Sequence, residues 1–338
     1  MTNTSMNKTR VLPAEGLFLL TAFIVAVFFC QLRLPLCDRI VGPEMFQEVA
    51  SHAGHKPWQY RILIPGIAGL LNHVKLPADE SLFAWGKILE VIFTVLTVIA
   101  FRLYLFMLLK DRMAAMLLSF SLFFVLPFHI FFPRPYHANY WFDTPGMFFF
   151  TLGLVFLHQK RWAAYYPLFL IATFNRETTC FLTVIHLLTS AGRAKPGALA
   201  AHCAAQFVIW MAVKILLGKI YIHNPGADGF EWYDGSGLPH YADNLLFFAK
   251  PANIPAFLSI MGFLWIPVVL FHKRIGDGFV RRSLWVFFPY FAGMFLVANI
   301  YELRIFTDLI PVFLSAFCLI LVDLIKHPAP HHAGPPGD

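Results

Sequence analysis

The sequence predicts an all-α, polytopic transmembrane helix bundle of about ten spans, and three observations lead to this prediction. Of the 338 residues, 58% are hydrophobic and 13% are charged, and the mean hydropathy is +0.64. Average soluble domains have about twice that charged fraction. Apolar stretches close to the roughly 20 residues that cross hydrocarbon recur along the chain. Lys and Arg fall in short clusters beside these stretches, as is typical of membrane topology signals.

The basic clusters define the order of the spans. Lys8 and Arg10 precede the first apolar run and place the N-terminus in the cytoplasm. Ten spans then put every later basic cluster, and the C-terminus, on the same side. The predicted spans cover about residues 16–36, 82–109, 113–133, 144–158, 162–174, 178–190, 197–218, 251–271, 283–300 and 305–325.

The chain is predicted to form a single transmembrane domain over residues 1–327, followed by a disordered cytoplasmic tail over 328–338. The tail is polar and rich in Pro and Gly, a composition that does not support a packed core. A further short apolar stretch, 62–74, is interrupted by Pro65 and Gly66. Counted as an eleventh span it would reverse every later assignment, so we expect a helix at the outer interface, within the first outer loop.

The spans 162–174 and 178–190 are too short to cross a bilayer straight at about 1.5 Å per residue. Both flanks of the pair are basic, so its tip, Asn175-Arg176-Glu177, should lie on the outer side near membrane depth. Charged side chains are tolerated there when they line a water-filled cavity or are buried in protein. The triplet therefore predicts a cavity.

The predicted outer segments hold most of the acidic residues, and aromatic residues alternate there with acids and histidines. Two interpretations stay open. The aromatic rings form an interfacial belt, or they form a platform on which sugar rings stack while polar groups bind hydroxyls. On the second interpretation, the residues that line the substrate site are Tyr60, His137, Tyr140, Asn175, Glu177 and Glu302.

Four arginines lie at or near the outer ends of apolar runs: Arg61, Arg134, Arg176 and Arg304. Guanidinium groups bind phosphate through paired N–H donors and stay charged when buried. Four of them at one level predict a site for an anionic ligand. The alternative is local pairing, of Arg176 with Glu177, and of Arg304 with Glu302 or Asp308.

Three carboxylates are candidates for a general base, which needs a carboxylate held close to an acceptor hydroxyl. Asp38 comes first because it directly follows the first span, and Glu44 and Asp143 are the other candidates. Each has an ordinary alternative. Asp38 can pair with Arg39, and Asp143 can cap the start of a helix.

Several function classes lack support. The sequence has no Walker motif, dinucleotide fingerprint or GxSxG, and its histidines lack HExxH spacing. The five cysteines are dispersed without CxxC spacing. The net charge of +7 lies in the topology clusters, so nucleic-acid binding is not indicated. We expect neither a metal nor a cofactor.

The outer segments resemble polytopic glycosyltransferases of the GT-C type. The resemblance rests on a retained first helix followed by Asp38, on WQYRILIP at 58–65, on the polar tip at 175–178 and on YELRIFTDLIP at 301–311. The chain departs from that family because its first outer loop has no paired Asp-Asp or Glu-Asp and because it lacks the soluble C-terminal domain of larger members.

The resemblance implies an enzyme of a bacterial cytoplasmic membrane that moves a sugar from a polyprenyl-phosphate donor to a glycan or lipid acceptor on the extracytoplasmic face, with inversion. It implies Asp38 as the base, and Arg176 and Arg304 as the residues that hold the lipid phosphate. Two other functions remain open: a transporter or flippase of a lipid-linked or anionic solute, or a non-catalytic subunit of a membrane complex.

Overall fold

The computed structural model describes residues 5–37, 42–74, 76, 81–130, 140–227, 229–233 and 237–327. Within these ranges the chain is all-helical and contains no strand, which confirms the predicted fold class at that level. Asp38, Arg134, His137 and the tail 328–338 lie outside the described residues. The predictions made for them stay predictions.

The α-helices are α1 Ser5–Cys37, α2 Pro43–Ala50, α3 Leu63–Leu71, α4 Ser81–Leu109, α5 Arg112–Ser119, α6 Leu122–Ile130, α7 Asp143–Gln159, α8 Trp162–Asn175, α9 Phe181–Ser190, α10 Pro196–Ile220, α11 His240–Phe248, α12 Ile254–Leu258, α13 Trp265–Leu270, α14 Gly278–Ser283, α15 Phe287–Val297 and α16 Ile310–Lys326. Short 3₁₀ segments join several of them. Those that matter for the site are Trp58–Tyr60, Glu177–Cys180 and Leu303–Leu309.

Five helical segments among the described residues are long and apolar enough to cross a membrane: Pro13–Pro35, Ser81–Leu109, Arg112–His129, Pro196–Ile220 and Leu303–Lys326. They coincide with five of the ten predicted spans and support a membrane protein. Of the other five predicted spans, 144–158, 162–174 and 178–190 form the shorter helices α7, α8 and α9.

The other two predicted spans, 251–271 and 283–300, are not continuous helices. The first is divided among four short elements. Met261, Gly262 and Phe263, inside the third of these elements, all have positive φ. Prolines at 251, 255 and 267 remove backbone donors from this region, which favours such interruptions. The second region is divided among α14, a 3₁₀ turn and α15.

Helix α7 lies at the centre of the fold, and most of its residues are buried. It packs against α4, α8 and the 3₁₀ segment Leu303–Leu309. Helix α9 comes close because Gly153 has no side chain. A Cβ added there would lie 2.6 Å from a methyl carbon of Leu182.

A buried ion pair fixes the start of α7 against α1 and α4. Arg33 of α1 pairs with Glu90 of α4, and it also donates a 3.0 Å hydrogen bond to the Thr144 hydroxyl. All three side chains are less than 5% exposed. The next residue toward the N-terminus of α7 is Asp143, so this pair also positions a carboxylate of the site.

Candidate functional site

A cavity of about 530 Å³ opens where α8 ends, α15 ends and the segment 301–309 begins. Charged or ionisable side chains and aromatic rings share its wall. The first group contains Arg61, Arg176, Glu177, Glu231, His240, Glu302 and Arg304, and the second contains Trp58, Tyr140, Trp210 and Trp232. Predicted outer segments that lie far apart in sequence thus meet at one place.

The tip between α8 and α9 is built by an abrupt change of backbone conformation. Asn175 ends α8, Arg176 is extended at φ −158° and ψ 133°, and a 3₁₀ turn begins at Glu177. The Asn175 side chain is buried and its Nδ2 donates to the Phe142 carbonyl over 2.9 Å. Asn175 therefore ties the tip to the residue that precedes α7.

The extended conformation sends consecutive side chains in opposite directions. Arg176 turns inward and ion-pairs with Asp143 at 3.3 Å and with Asp308 at 3.4 Å. Glu177 turns the other way and forms a two-point pair with Arg61, at 2.7 and 3.3 Å. The local pair of Arg176 with Glu177, one alternative from the sequence, is therefore wrong.

Arg176 and Asp308 form the buried base of the site. Asp308 accepts a 2.6 Å hydrogen bond from the Thr178 hydroxyl and a 3.3 Å bond from the Tyr290 hydroxyl. Arg176 also donates to Thr307 and to the Ile305 carbonyl, each over 3.4 Å. The contacts of Arg176 are longer than the roughly 2.7–2.9 Å of a strong charge-assisted hydrogen bond.

Arg304 lies on the cavity wall beside Asp143, the carboxylate that also pairs with Arg176. Its Nη1 is 3.7 Å from Oδ1 of Asp143, and its Nη2 pairs with Glu302, as the local-pairing alternative predicts. The guanidinium carbon lies 4.2 Å from the centre of the Tyr140 ring, in a cation–π arrangement. Its Nε is buried and has no hydrogen-bond partner among the described residues.

Asp143 is fully buried between the two guanidinium groups. Its Oδ2 accepts a 2.7 Å hydrogen bond from the Tyr140 backbone N–H, so it also shapes the entry to α7. The described lining of the cavity does not include Asp143. The residue is therefore placed to neutralise Arg176 and Arg304 rather than to touch a ligand.

Aromatic side chains share the cavity wall with the arginines. The rings of Trp58 and Tyr140 stack at an interplanar angle of 19°, and the ring of Tyr140 stacks on Phe142 at 5.2 Å. Trp210 of α10 donates its indole N–H to the Glu177 carbonyl over 2.8 Å. A flat, partly polar surface of this kind suits the face of a sugar ring.

Three of the other predicted site residues, Glu44, Tyr60 and Asn175, do not line the cavity. Glu44 is exposed in the first turn of α2. Tyr60 is buried, with its ring 5.0 Å from the Lys214 ammonium group. Asn175 lies behind the wall, whereas Tyr140, Glu177 and Glu302 line it.

Several wall residues were not predicted from the sequence as site residues, and the polar ones include Glu231, His240 and Asn299. The backbone near Glu231 lies against that near His240, because the His240 N–H donates to the Trp232 carbonyl over 3.0 Å and Tyr233 forms a bridge with Pro239. These contacts bring Glu231 and His240 to one wall. Burial raises the pKa of Glu231, and the charges of His240 and Arg61 oppose the rise. The sequence signal was the alternation of acids and aromatics in this loop.

Among the residues that the structure describes, no three His, Cys, Asp or Glu side chains come together as metal ligands do. Comparisons with protein-family models, with curated proteins and with solved structures gave no match to this chain.

Proposed function

We propose that this protein is a membrane glycosyltransferase of the GT-C type. It moves a sugar, with inversion, from a polyprenyl-phosphate donor to a glycan or lipid acceptor in the cavity. The observation that supports this proposal is that Arg61, Arg176 and Arg304 line one cavity together with the aromatic rings of Trp58, Tyr140, Trp210 and Trp232. Phosphate recognition and sugar stacking need these two kinds of surface side by side.

Arg304 is the best placed of the three to hold the phosphate. It is 7% exposed, it lines the cavity, and its Nε–H lacks a hydrogen-bond partner among the described residues. A buried N–H without an acceptor costs about 1–3 kcal/mol, which a phosphate oxygen at that position would recover. Arg176, held by contacts of 3.3–3.4 Å, can strengthen its hydrogen bonds as negative charge develops.

The phosphate is the leaving group of this reaction. When the bond between the anomeric carbon and the phosphate oxygen breaks, the electron pair stays on that oxygen. Fixed guanidinium groups stabilise the new charge without reorganising, and such electrostatic stabilisation is commonly the largest part of a rate enhancement. The carboxylates of Asp143 and Asp308 keep both guanidinium groups in place between turnovers.

The membrane arrangement that we propose has ten spans, with the cavity on the extracytoplasmic side of a bacterial cytoplasmic membrane and both termini in the cytoplasm. Asp38 remains the base implied by the family resemblance. The donor, the acceptor and the surrounding lipids are the partners that this function requires, and a further membrane subunit is compatible with it.

A non-catalytic subunit is the second candidate, and one observation favours it. Arg176 is buried, and the carboxylates of Asp143 and Asp308 already compensate its charge. On this candidate the charged cluster braces α7, the tip and the segment 303–309. On this candidate, loss of the charged cluster would reduce the stability of the protein and would not affect the binding of a ligand.

The experiment that separates the candidates uses Arg304→Lys and the matched variant Arg274→Lys. Arg274 pairs with Asp323 at 2.9 Å and does not line the cavity among the described residues. Binding of a C55 polyprenyl phosphate to purified protein in nanodiscs is followed by tryptophan fluorescence, since Trp58, Trp210 and Trp232 line the cavity. Labelled lipid-linked sugar and its transfer product are measured in membranes of the producing cells.

Lys keeps the charge of Arg304 but loses the forked donors. We expect Arg304→Lys to weaken polyprenyl-phosphate binding about tenfold and to let the sugar donor accumulate, while Arg274→Lys behaves as wild type. If the wild-type protein binds no polyprenyl phosphate and the donor is unchanged in cells that lack the protein, the glycosyltransferase proposal is wrong and the subunit candidate remains.

A further inference from the structure

The side chain of His240 combines burial with an unused ring nitrogen on the cavity wall. It is 4% exposed, and its Nε2 has no hydrogen-bond partner among the described residues. Buried polar atoms are paired in the large majority of cases, so an unpaired one calls for an explanation. A ligand group in the cavity is the explanation that its position allows.

The other ring nitrogen is held firmly. Nδ1 of His240 lies 2.7 Å from Oδ1 of Asn299, and Nδ2 of Asn299 donates to Glu302 over 3.5 Å. Since a carboxylate only accepts, the amide nitrogen must face Glu302 and the amide oxygen must face the imidazole. We assign the Nδ1–H tautomer on this network, which leaves Nε2 with a lone pair.

The backbone around His240 is fixed on both sides. The buried side chain of Asn244, one turn along α11, donates to the carbonyls of Phe295 and Ala298 and accepts from the N–H of Ile300, over 2.8–2.9 Å. The hydrogen bond from the His240 N–H to Trp232 holds the other side. The imidazole is therefore part of a rigid wall rather than of a free loop.

Charged side chains of both signs lie near the ring. Glu231 shares the cavity wall, and Glu302 is joined to the ring through Asn299. Arg304 is paired with Glu302 and lies close to Asp143.

We propose that His240 is the general base that activates the acceptor hydroxyl. The proposal rests on the proposed function. The acceptor O–H bond breaks and its proton moves to Nε2, while the acceptor oxygen bonds to the anomeric carbon. The bond from that carbon to the phosphate oxygen breaks, and the polyprenyl phosphate leaves with the electron pair. The imidazolium then returns the proton to solvent.

This assignment differs from the base implied by the family resemblance. Asp143 is occupied by two guanidinium groups. His240 lines the cavity and has an unpaired ring nitrogen and a fixed orientation, which a base needs.

The test uses His240→Asn, in which the side-chain amide can still donate to Asn299 but nothing replaces Nε2. His272→Asn is the matched control, because His272 is exposed and lies outside the cavity wall described above. Two quantities are measured on purified protein in nanodiscs: binding of a C55 polyprenyl phosphate, and transfer from labelled polyprenyl-phosphate hexoses with the native membrane lipids as acceptors. His240→Ala is assayed with and without added imidazole.

We expect His240→Asn to bind polyprenyl phosphate within about threefold of wild type and to transfer sugar about 10²–10⁴-fold more slowly, the usual contribution of a general base. Added imidazole should restore part of the activity of His240→Ala, which a purely structural role would not allow. The decline of the wild-type transfer rate toward acidic pH should be absent in His240→Asn and in His240→Ala.

Two outcomes overturn the proposal, and they are distinguishable. If wild type binds and transfers, and His240→Asn transfers within about threefold of it, only the role of His240 is wrong. If wild type neither binds polyprenyl phosphate nor transfers sugar, the proposed function fails, and the base assignment fails with it.

Discussion

Asp143 is the carboxylate that lies between Arg176 and Arg304. It is fully buried, and its Oδ1 lies 3.3 Å from Arg176 and 3.7 Å from Arg304. Two guanidinium groups that share one carboxylate lie close enough to repel each other in a medium of low dielectric constant. One carboxylate between them makes their proximity possible, and it does so without facing the cavity.

We expect Asp143→Asn to destabilise the protein by about 3–5 kcal/mol, the usual cost of removing one partner from a buried charged pair. The amide has the same shape but leaves two buried cations short of an anion. The measurement is thermal unfolding of purified protein in detergent. Asp323→Asn is the control, because Asp323 and its partner Arg274 are about one-third exposed. Equal, small effects of the two substitutions would contradict this account.

Glu231 provides a prediction about pH. Burial raises its pKa in the folded protein above the ordinary value, so the folded state favours the protonated form. Its contribution to stability is therefore fully present at low pH and is lost as the pH rises through the folded-state pKa. We expect Glu231→Gln, which stays neutral, to gain stability relative to wild type as the pH rises.

The melting temperatures of wild type and Glu231→Gln should be compared between about pH 4 and pH 8. The difference should be smallest at the acidic end and should grow in favour of the variant toward neutral pH. A difference that stays constant, or one that grows in the opposite direction, would show that Glu231 is not desolvated.

At the scale of elements, the site depends on how the tip between α8 and α9 docks on the start of α16. The Thr178 hydroxyl donates to Asp308 over 2.6 Å, and this bond joins the 3₁₀ turn of the tip to the segment 303–309. Arg176 makes a second link between the same two elements. Together they fix the position of the tip, whose residues Arg176, Glu177 and Thr178 line the cavity.

Thr178→Val keeps the size of the side chain and removes its donor. We expect a loss of about 1–3 kcal/mol in the free energy of unfolding, because a buried carboxylate oxygen of Asp308 loses a hydrogen bond. Thr189→Val is the matched control. Thr189 is equally buried, but its hydroxyl donates to Ile185 within its own helix, so its removal should cost less. Thermal unfolding of both variants checks the order, and the reverse order would argue against docking through Asp308.

The sequence predicted the tip and its polar triplet but not the partners of its side chains. Adjacency suggested that Arg176 would pair with Glu177. The extended conformation of Arg176 instead directs the two side chains apart, and tertiary contacts select Asp308 and Arg61. Pairing of this kind depends on which segments meet in space, and a pattern within one segment does not contain that information.

The same limit explains the two groups of residues that were placed differently. Glu231 and His240 were missed because backbone contacts between Trp232 and His240, and between Tyr233 and Pro239, bring positions nine apart to one wall. The region 251–271 was predicted as one span because its hydropathy is high, yet prolines and left-handed residues divide it. The five long apolar helices were predicted correctly, since hydropathy and length alone decide them.

At the scale of the whole molecule, the direction of the helices links the cavity to the basic clusters. Helix α8 starts after Lys160 and Arg161 and ends at the cavity, and α9 starts near the cavity and ends before Arg193. Helix α15 likewise ends at the cavity and follows Arg281 and Arg282. By the positive-inside rule, this arrangement agrees with the extracytoplasmic cavity that we propose.

Cysteine labelling tests this arrangement through Tyr233→Cys in the loop beside the cavity and Ala194→Cys in the basic loop after α9; both positions are exposed. The unsubstituted protein is the control, because it gives the background labelling of the five native cysteines. A membrane-impermeant maleimide should label Tyr233→Cys in intact cells and Ala194→Cys only after permeabilisation. Labelling of both in intact cells, or the reverse pattern, would contradict the ten-span topology. Donors and acceptors that exist only outside the cytoplasm could then not reach the cavity, so the same result would remove the membrane basis of the proposed reaction.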